Sequence, residues 1–175
     1  MVQSFGLTKH LSDERIILVT NRMDISLKEY ILRNHNKIMW KTKMKIIFEV
    51  IKAICRIHEE KYILRDLHSG NILYSQYKND WCINDFKFCG SVNKPLYSIY
   101  GKLPYIAPEV IDGYNYSFKS DIYSIDMIMW ELAIKKSPFN NFDHDHSLAI
   151  SIVNGLRPNL SHVILTEYKE LIVKC

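Results

Sequence analysis

The sequence predicts a mainly α domain of the α+β class, with a few short strands gathered around one loop. Three observations carry this reading. Met44, Ile47, Phe48, Ile51, Ile54, Cys55 and His58 recur at i, i+3, i+4, i+7 spacing, which marks the apolar face of a helix over about 41–60. Residues 117–134 form a second helical run that is apolar nearly all round, from Ile122 and Tyr123 through Trp130 and Leu132, and such a helix is central and buried. Between the two, residues 61–92 break into pieces of strand length, YIL, NILY and WCIND. A chain of 175 residues suits one ordinary domain with a real core.

The other elements follow in order. Residues 1–8 and 15–20 (RIILVT) read as two short strands joined by the polar turn HLSDE. Ser26-Leu27-Lys28-Glu29 matches a capping box, so a helix is predicted from about 27 to Arg33. Residues 93–106 contain Pro95, Gly101 and Pro104 and show no period, which predicts an extended segment. Two further helices are predicted at about 146–154 and 166–175.

Composition narrows the function. The net charge is +4, with basic residues scattered over 9–61 rather than held in one stripe, so no nucleic-acid partner is expected. Cys55, Cys82, Cys89 and Cys175 form no CxxC pair; three of them stand inside apolar runs or beside aromatics and read as buried free thiols of a reducing compartment, not as a zinc site. No secretory signal and no apolar run of membrane-spanning length is evident, so an intracellular, cytoplasmic protein without a membrane partner is expected. His144-Asp145-His146 reads as a polar surface loop or a helix cap.

The chemistry concentrates in LRDLHSGNIL, residues 64–73. Asp66 follows the long helix, with Arg65 before it and Asn71 five residues on; a second carboxylate arrives at Asp85 after Trp81-Cys82-Ile83. A carboxylate can accept a hydroxyl proton, and an amide oxygen beside a carboxylate can hold a hard divalent cation. One acid for the nucleophile plus an Asn/Asp pair for Mg²⁺ is the minimum for moving a phosphoryl group. Either residue alone reads as a turn former that bonds its own backbone. Together, in this order and with a strand between them, they outweigh that reading.

These residues carry a resemblance. LRDLHSGN resembles the catalytic loop of eukaryotic protein kinases, NDFK stands where D-F-G is expected, and APE is intact at 107–109. KSDIYSIDMIMWEL resembles the segment that opens the family's central helix, GLRP at 155–158 the loop after it, and ILVTNRM the fifth strand and hinge. The sequence is thus similar to the C-terminal lobe of the family, in particular its tyrosine-kinase-like branch. The resemblance implies a helical bundle around a buried central helix, with two N-terminal strands and short hairpins near the catalytic loop. It implies a single truncated domain over 1–175, in which 1–23 is a remnant of N-lobe strands and hinge and 24–175 is the C-lobe.

It also implies roles. Asp66 would be the catalytic carboxylate, with Arg65 clamping the activation segment; Asn71 and Asp85 would bind Mg²⁺. Leu73 would lie beneath the adenine of ATP, Thr20 would be the gatekeeper, and the backbone at Asn21 and Met23 would meet the adenine edge. Asp121 would brace the loop through backbone N–H groups, and Glu109 would anchor to an arginine beyond the last helix. Ser91, Tyr97, Ser98 and Tyr100 would be phosphate acceptors on the activation segment, and plain solvated hydroxyls are an equally open reading. The implied reaction is transfer of the ATP γ-phosphate to a Ser, Thr or Tyr hydroxyl of a protein substrate.

The departures temper this. No GxGxxG, third-strand lysine or paired helical glutamate is present, so weak Mg·ATP binding and impaired turnover are expected. Lys87 replaces the glycine of D-F-G, Leu64 a histidine, and Asp126 a glycine of the central helix. A non-catalytic pseudokinase that binds protein partners is the alternative, followed by a small-molecule phosphotransferase, against which PYIAPE and KSDIYS discriminate. A solvent-facing apolar upper surface that promotes association is also expected.

Overall fold

A computed structural model describes residues 2–13, 15–34, 37–94, 98–160 and 166–174. It is a mixed helix and strand structure in which helix dominates. Strands β1 (Ser4–Lys9) and β2 (Ile16–Thr20) pair antiparallel, with Leu7 opposite Leu18 and an irregularity between Ser4 and Gly6. Every residue of both strands is exposed, Leu7 to 71% and Ile16 to 70%. The expected apolar surface is therefore present on this hairpin.

Strand β3 (Ile25–Ser26) leads into α1 (Leu27–Arg33), whose first turn is capped by Ser26 accepting the Glu29 N–H at 3.2 Å. The Glu29 carboxylate pairs forward with Arg33, one turn along the same helix face.

Helix α2 (Trp40–Glu59) forms where the period places it but turns a different face inward. Its buried residues are Lys43, Ile46, Ile47, Val50, Ile54 and Ile57, while Met44, Phe48, Ile51 and Cys55 are exposed. Two adjacent apolar stripes satisfy the same helical spacing, and packing alone selects between them. The outer stripe lines an apolar groove of about 290 Å³ with Ile122, Met129 and Leu171. Consequently Cys55 is an exposed thiol rather than a buried one, while Cys82 is buried as expected and Cys89 half-buried.

Strands β4 (Tyr62–Ile63), β5 (Ile72–Ser75), β6 (Asp80–Ile83) and β7 (Gly90–Ser91) surround the loop. One antiparallel sheet has the order β3-β5-β6, with Ile72 opposite Ile83 and Leu73 opposite Cys82. A second pairs β4 with β7. The segment after residue 98 is irregular apart from a turn at Leu103–Tyr105. The four-residue α3 (Pro108–Ile111) was not expected; it starts on a proline, whose fixed φ suits the first helical position.

Helix α4 (Phe118–Ile134) is capped reciprocally: the Ser117 hydroxyl oxygen accepts the Lys119 N–H and the Ser120 hydroxyl oxygen accepts the Ser117 N–H. It is buried from Ser120 to Leu132 except at Ile122, which is half-buried. It packs against α2, the 103–105 turn and α6 (Thr166–Lys174). The Trp130 indole N–H donates to Asn159 O at 3.1 Å, and the Tyr168 hydroxyl donates to Met129 O at 3.0 Å. Helix α5 (His146–Val153) begins at Asp145, whose carboxylate accepts the N–H groups of Ser147 and Leu148. That settles the His-Asp-His stretch as a cap. Among the described residues no group of three His, Cys, Asp or Glu gathers to hold a metal, and no helix is long and apolar enough to cross a membrane.

Asp126 sits buried within α4. It is 6% exposed, and its Oδ1 has no hydrogen-bond partner among the described residues. Burial raises its pKa to about 7, opposed by the Arg157 charge.

Candidate active site

One carboxylate organises the loop. Asp121, in the first turn of α4 and 1% exposed, accepts the Leu64 N–H at 2.9 Å and the Arg65 N–H at 3.0 Å. The Nε2 of His58, in the last turn of α2, lies 2.8 Å from the same carboxylate. Two helix ends and the loop thus meet on Asp121. Arg65 holds φ 68°, a left-handed conformation that costs a non-glycine residue on the order of 1–3 kcal/mol unless its surroundings impose it. The Asp121 bond to its N–H supplies that constraint. Leu64 is 3% exposed and packs in the core.

The Arg65 guanidinium turns toward the segment after β6. Its Nη2 donates to Ser91 O at 2.9 Å and Lys94 O at 2.7 Å, while Nε has no partner among the described residues. A side chain at Gly90 would start 2.9 Å from Nη1, so glycine permits this approach.

Asp66 is the chemically exceptional group. Its Oδ1 is buried and has no partner among the described residues, whereas a buried acceptor ordinarily has one. Burial pushes its pKa up, the neighbouring Asp85 charge adds to this, and Lys102 and Asn71 oppose it. A carboxylate so placed is suited to accept the proton of an incoming hydroxyl. Gly101, at φ 110°, leaves the space in front: a Cβ there would lie 3.2 Å from Asp66 Oδ1.

Asn71 and Asp85 stand at one end of the β5–β6 hairpin. The Asn71 amide N–H donates to Asp66 O at 3.0 Å, which leaves its amide oxygen as the atom open to a ligand, and Asn71 O accepts the Asn84 N–H at 2.8 Å. The Ile72–Ile83 register therefore sets Asn71 beside the residue that precedes Asp85. Asp85 is exposed, takes φ 62°, and accepts the Lys87 N–H at 3.2 Å. The two candidate donor groups both offer oxygen, one from a carboxylate and one from an amide, a type that fits a hard cation such as Mg²⁺. The Lys87 ammonium lies over the Phe88 ring, 5.0 Å from its centroid.

His68 lines the other side of Asp66. Its Nδ1 accepts the Gly70 N–H at 2.9 Å, so the ring proton sits on Nε2, 3.8 Å from Asp66 Oδ1. Burial and the Lys102 charge lower its pKa to about 4. The His68–Asp66 contact is accordingly one of a neutral ring, not an ion pair.

The remaining predicted residues are more dispersed. Leu73 lies mid-β5, half-buried, opposite Ser26 and Cys82. Residues 24–26 run along that strand, with the Asp24 N–H on Tyr74 O at 2.9 Å. Thr20 ends the exposed β2, its hydroxyl 3.4 Å from Asn21 O; the Asn21 N–H is spent on Gln3 O at 3.1 Å, and Met23 is half-buried. Glu109 is half-buried in the first turn of α3 and makes no ion pair among the described residues. Ser91 is half-buried in β7, and Ser98 is exposed. Tyr100 is exposed and stacked on Phe88, with ring centroids 4.5 Å apart. Its N–H donates to the Tyr116 hydroxyl oxygen, which donates in turn to Tyr100 O at 2.6 Å. Tyr97 lies outside the described residues.

Sequence reasoning passed over His58, Gly101 and Tyr116 as site residues. His58 was readable only as part of a helical stripe, and its partner lies 63 positions away. Gly101 was legible as a turn residue, but its proximity to Asp66 depends on the tertiary fold.

Comparison with known proteins gives the class. The protein kinase domain family matches residues 2–175. The chain belongs to the protein kinase domain family. It is 30% identical to the probable serine/threonine-protein kinase roco8 of Dictyostelium discoideum over 97% of this chain and 10% of that protein. It is likewise 30% identical to another probable serine/threonine-protein kinase of that organism, over 93% of this chain and 39% of the relative. A putative serine/threonine-protein kinase/receptor of Acanthamoeba polyphaga mimivirus is 29% identical over 91% of this chain and 10% of the viral protein. The chain therefore spans between a tenth and two-fifths of these relatives' lengths.

Proposed function

We propose that this chain carries the lower half of a phosphotransfer site, which moves the γ-phosphate of ATP to a hydroxyl of a protein substrate. The names of its relatives favour serine or threonine as the acceptor. The observation that carries the reading is the buried, unpartnered Asp66 Oδ1, in the field of Asp85 and tied through Asn71 to the same hairpin end. In this reading Asp66 orients the acceptor hydroxyl and takes its proton, while Asn71 and Asp85 hold the cation. Mg·ATP, when bound, supplies the phosphoryl group and the cation charge that offsets the two carboxylates. Leu73 forms the floor under the adenine, and the backbone at Asn21 and Met23, beyond the Thr20 gatekeeper, meets its edge. Arg65 and Asp121 position the loop, Glu109 anchors the APE segment, and Ser98, Tyr97 and Tyr100 are the switch hydroxyls.

We read residues 1–23 as strands and hinge and 24–175 as the helical lobe around α4, in the tyrosine-kinase-like branch. The residues named supply one side of a nucleotide site, so binding by this chain alone is expected to be weak. Thermal denaturation with ATP and Mg²⁺ tests it. A rise in Tm that requires both ligands, and that Asp85→Asn abolishes, is the expected result. No Mg²⁺-dependent shift at millimolar ATP would favour the partner-binding pseudokinase instead.

A further inference from the structure

A cavity of about 380 Å³ opens beside His68 and Gly101, both of which also adjoin Asp66. Its polar wall is formed by Lys28 of α1, His68 and Ser69 of the loop, Lys102, Ser137 and His144. Separate stretches of chain thus bring two ammonium groups and two imidazoles to one hollow. Lys102 Nζ lies 3.5 Å from His68 Nδ1, on the ring's lone-pair side. Neither Lys28 nor Lys102 forms a salt bridge among the described residues, while Lys45 and Arg33 on the same molecule do.

The lining of the hollow includes no aspartate or glutamate among the described residues. Glu131 lies beneath its floor, 2% exposed, with its carboxylate accepting the Tyr105 hydroxyl at 2.7 Å; burial raises its pKa, which favours the uncharged form. Asp66 is not among the lining residues; its carboxylate lies 3.8 Å from His68 Nε2. The walls therefore keep a surplus of positive charge, in partial shelter from water, where its attraction for an anion is stronger than on an open surface.

We propose that this cavity binds an anionic side chain, carboxylate or phosphate, of the protein substrate, within a few residues of the hydroxyl that meets Asp66. The placement follows from His68 and Gly101, which line the cavity and also adjoin the carboxylate: an extended peptide advances about 3.3 Å per residue, so one to three residues span the gap. Lys102 and Lys28 are the charge-bearing contacts, and Ser69 and Ser137 offer hydroxyl donors. The selectivity is for acidic or previously phosphorylated segments. This inference rests on the kinase reading for its view of Asp66, but the cavity and its charge do not.

The test is fluorescence anisotropy of the whole chain with three labelled peptide sets that differ only beside one serine. The flanking position carries alanine, aspartate or phosphoserine. The anionic peptides should bind about tenfold more tightly than the alanine peptide, and added salt should erode the difference. Lys28→Gln with Lys102→Gln, its fold checked by circular dichroism, should erase the preference. A phosphoserine peptide bound more tightly than the aspartate peptide identifies phosphate as the source of the anion, and equal binding identifies acidic residues in general. Equal affinity for all three sets, or a preference that survives the double variant, overturns the proposal. Mg·ATP thermal shifts on the same samples keep the two ideas apart. If the double variant weakens nucleotide binding and leaves peptide selectivity intact, Lys102 serves the nucleotide and the proposal is wrong. If the peptide preference appears without any nucleotide response, the cavity stands and the phosphotransfer reading falls.

Discussion

The β1–β2 hairpin and helix α4 are both rich in large apolar residues, yet they end at opposite extremes of exposure. Strand β2 is IILVT and every residue of it faces solvent, whereas α4 hides Met127, Ile128 and Leu132 almost completely. The difference lies in neighbours rather than in hydropathy. A two-stranded ribbon buries apolar area only if a further layer covers it. Helix α4 has α2, α6 and the 103–105 turn around it, and it presents Asp121 to the 64–73 loop from within that packing. The proposed chemistry therefore hangs on the buried element, and the exposed one can change at little structural cost.

Truncation should separate the two regions most sharply. Ile128→Ala in α4 should cost roughly 2–5 kcal/mol, the range for emptying a filled core site, read as a lower urea midpoint at unchanged slope. An intermediate effect is expected inside α4 itself, at Asp126. Its carboxyl loses its proton near pH 4 in the unfolded chain and near pH 7 in the folded one. Between those values the folded state holds more protons, so stability falls as pH rises from about 4 to about 7 and this dependence ends above that. Asp126→Asn should flatten the slope and raise stability at pH 8 by roughly 2 kcal/mol. Each tenfold change in proton affinity is worth about 1.4 kcal/mol, and the buried amide gives part of that gain back. A pH profile unchanged by the substitution would mean that Asp126 ionises freely in the folded protein. The smallest change belongs to the hairpin: Leu7→Ser should alter stability by no more than about 0.5 kcal/mol while reducing self-association in sedimentation. A loss as large as that of Ile128→Ala would show that the hairpin is part of the cooperative core.

Much of the fold was legible because it is local. The Ser26 and Ser117 caps, the two long helices and the short strands around the loop are written in spacing and cap chemistry. What was not legible is what packing decides. The α2 sequence carries two apolar stripes, and only the placement of α4 and β6 makes Lys43, Val50 and Ile57 the inner one. The site divides the same way. Arg65, Asp66, Asn71 and Asp85 are nominated by order and spacing, because a loop and a hairpin hold them close together in the chain. The Asp121–His58 contact and the Lys28–Lys102 cavity join residues far apart in the chain, and no short-range signal marks them.

The grip of Arg65 on the carbonyls of Ser91 and Lys94 has a consequence for any switch built on the neighbouring hydroxyls. The guanidinium already spends one nitrogen on backbone acceptors, so a newly attached phosphate gains only the difference between its own charge-assisted bonds and those it displaces. A modification on that stretch would thus exchange one tether for another instead of ordering a loose strand from nothing, and its measurable signature would be a modest change in amide protection around residues 90–94.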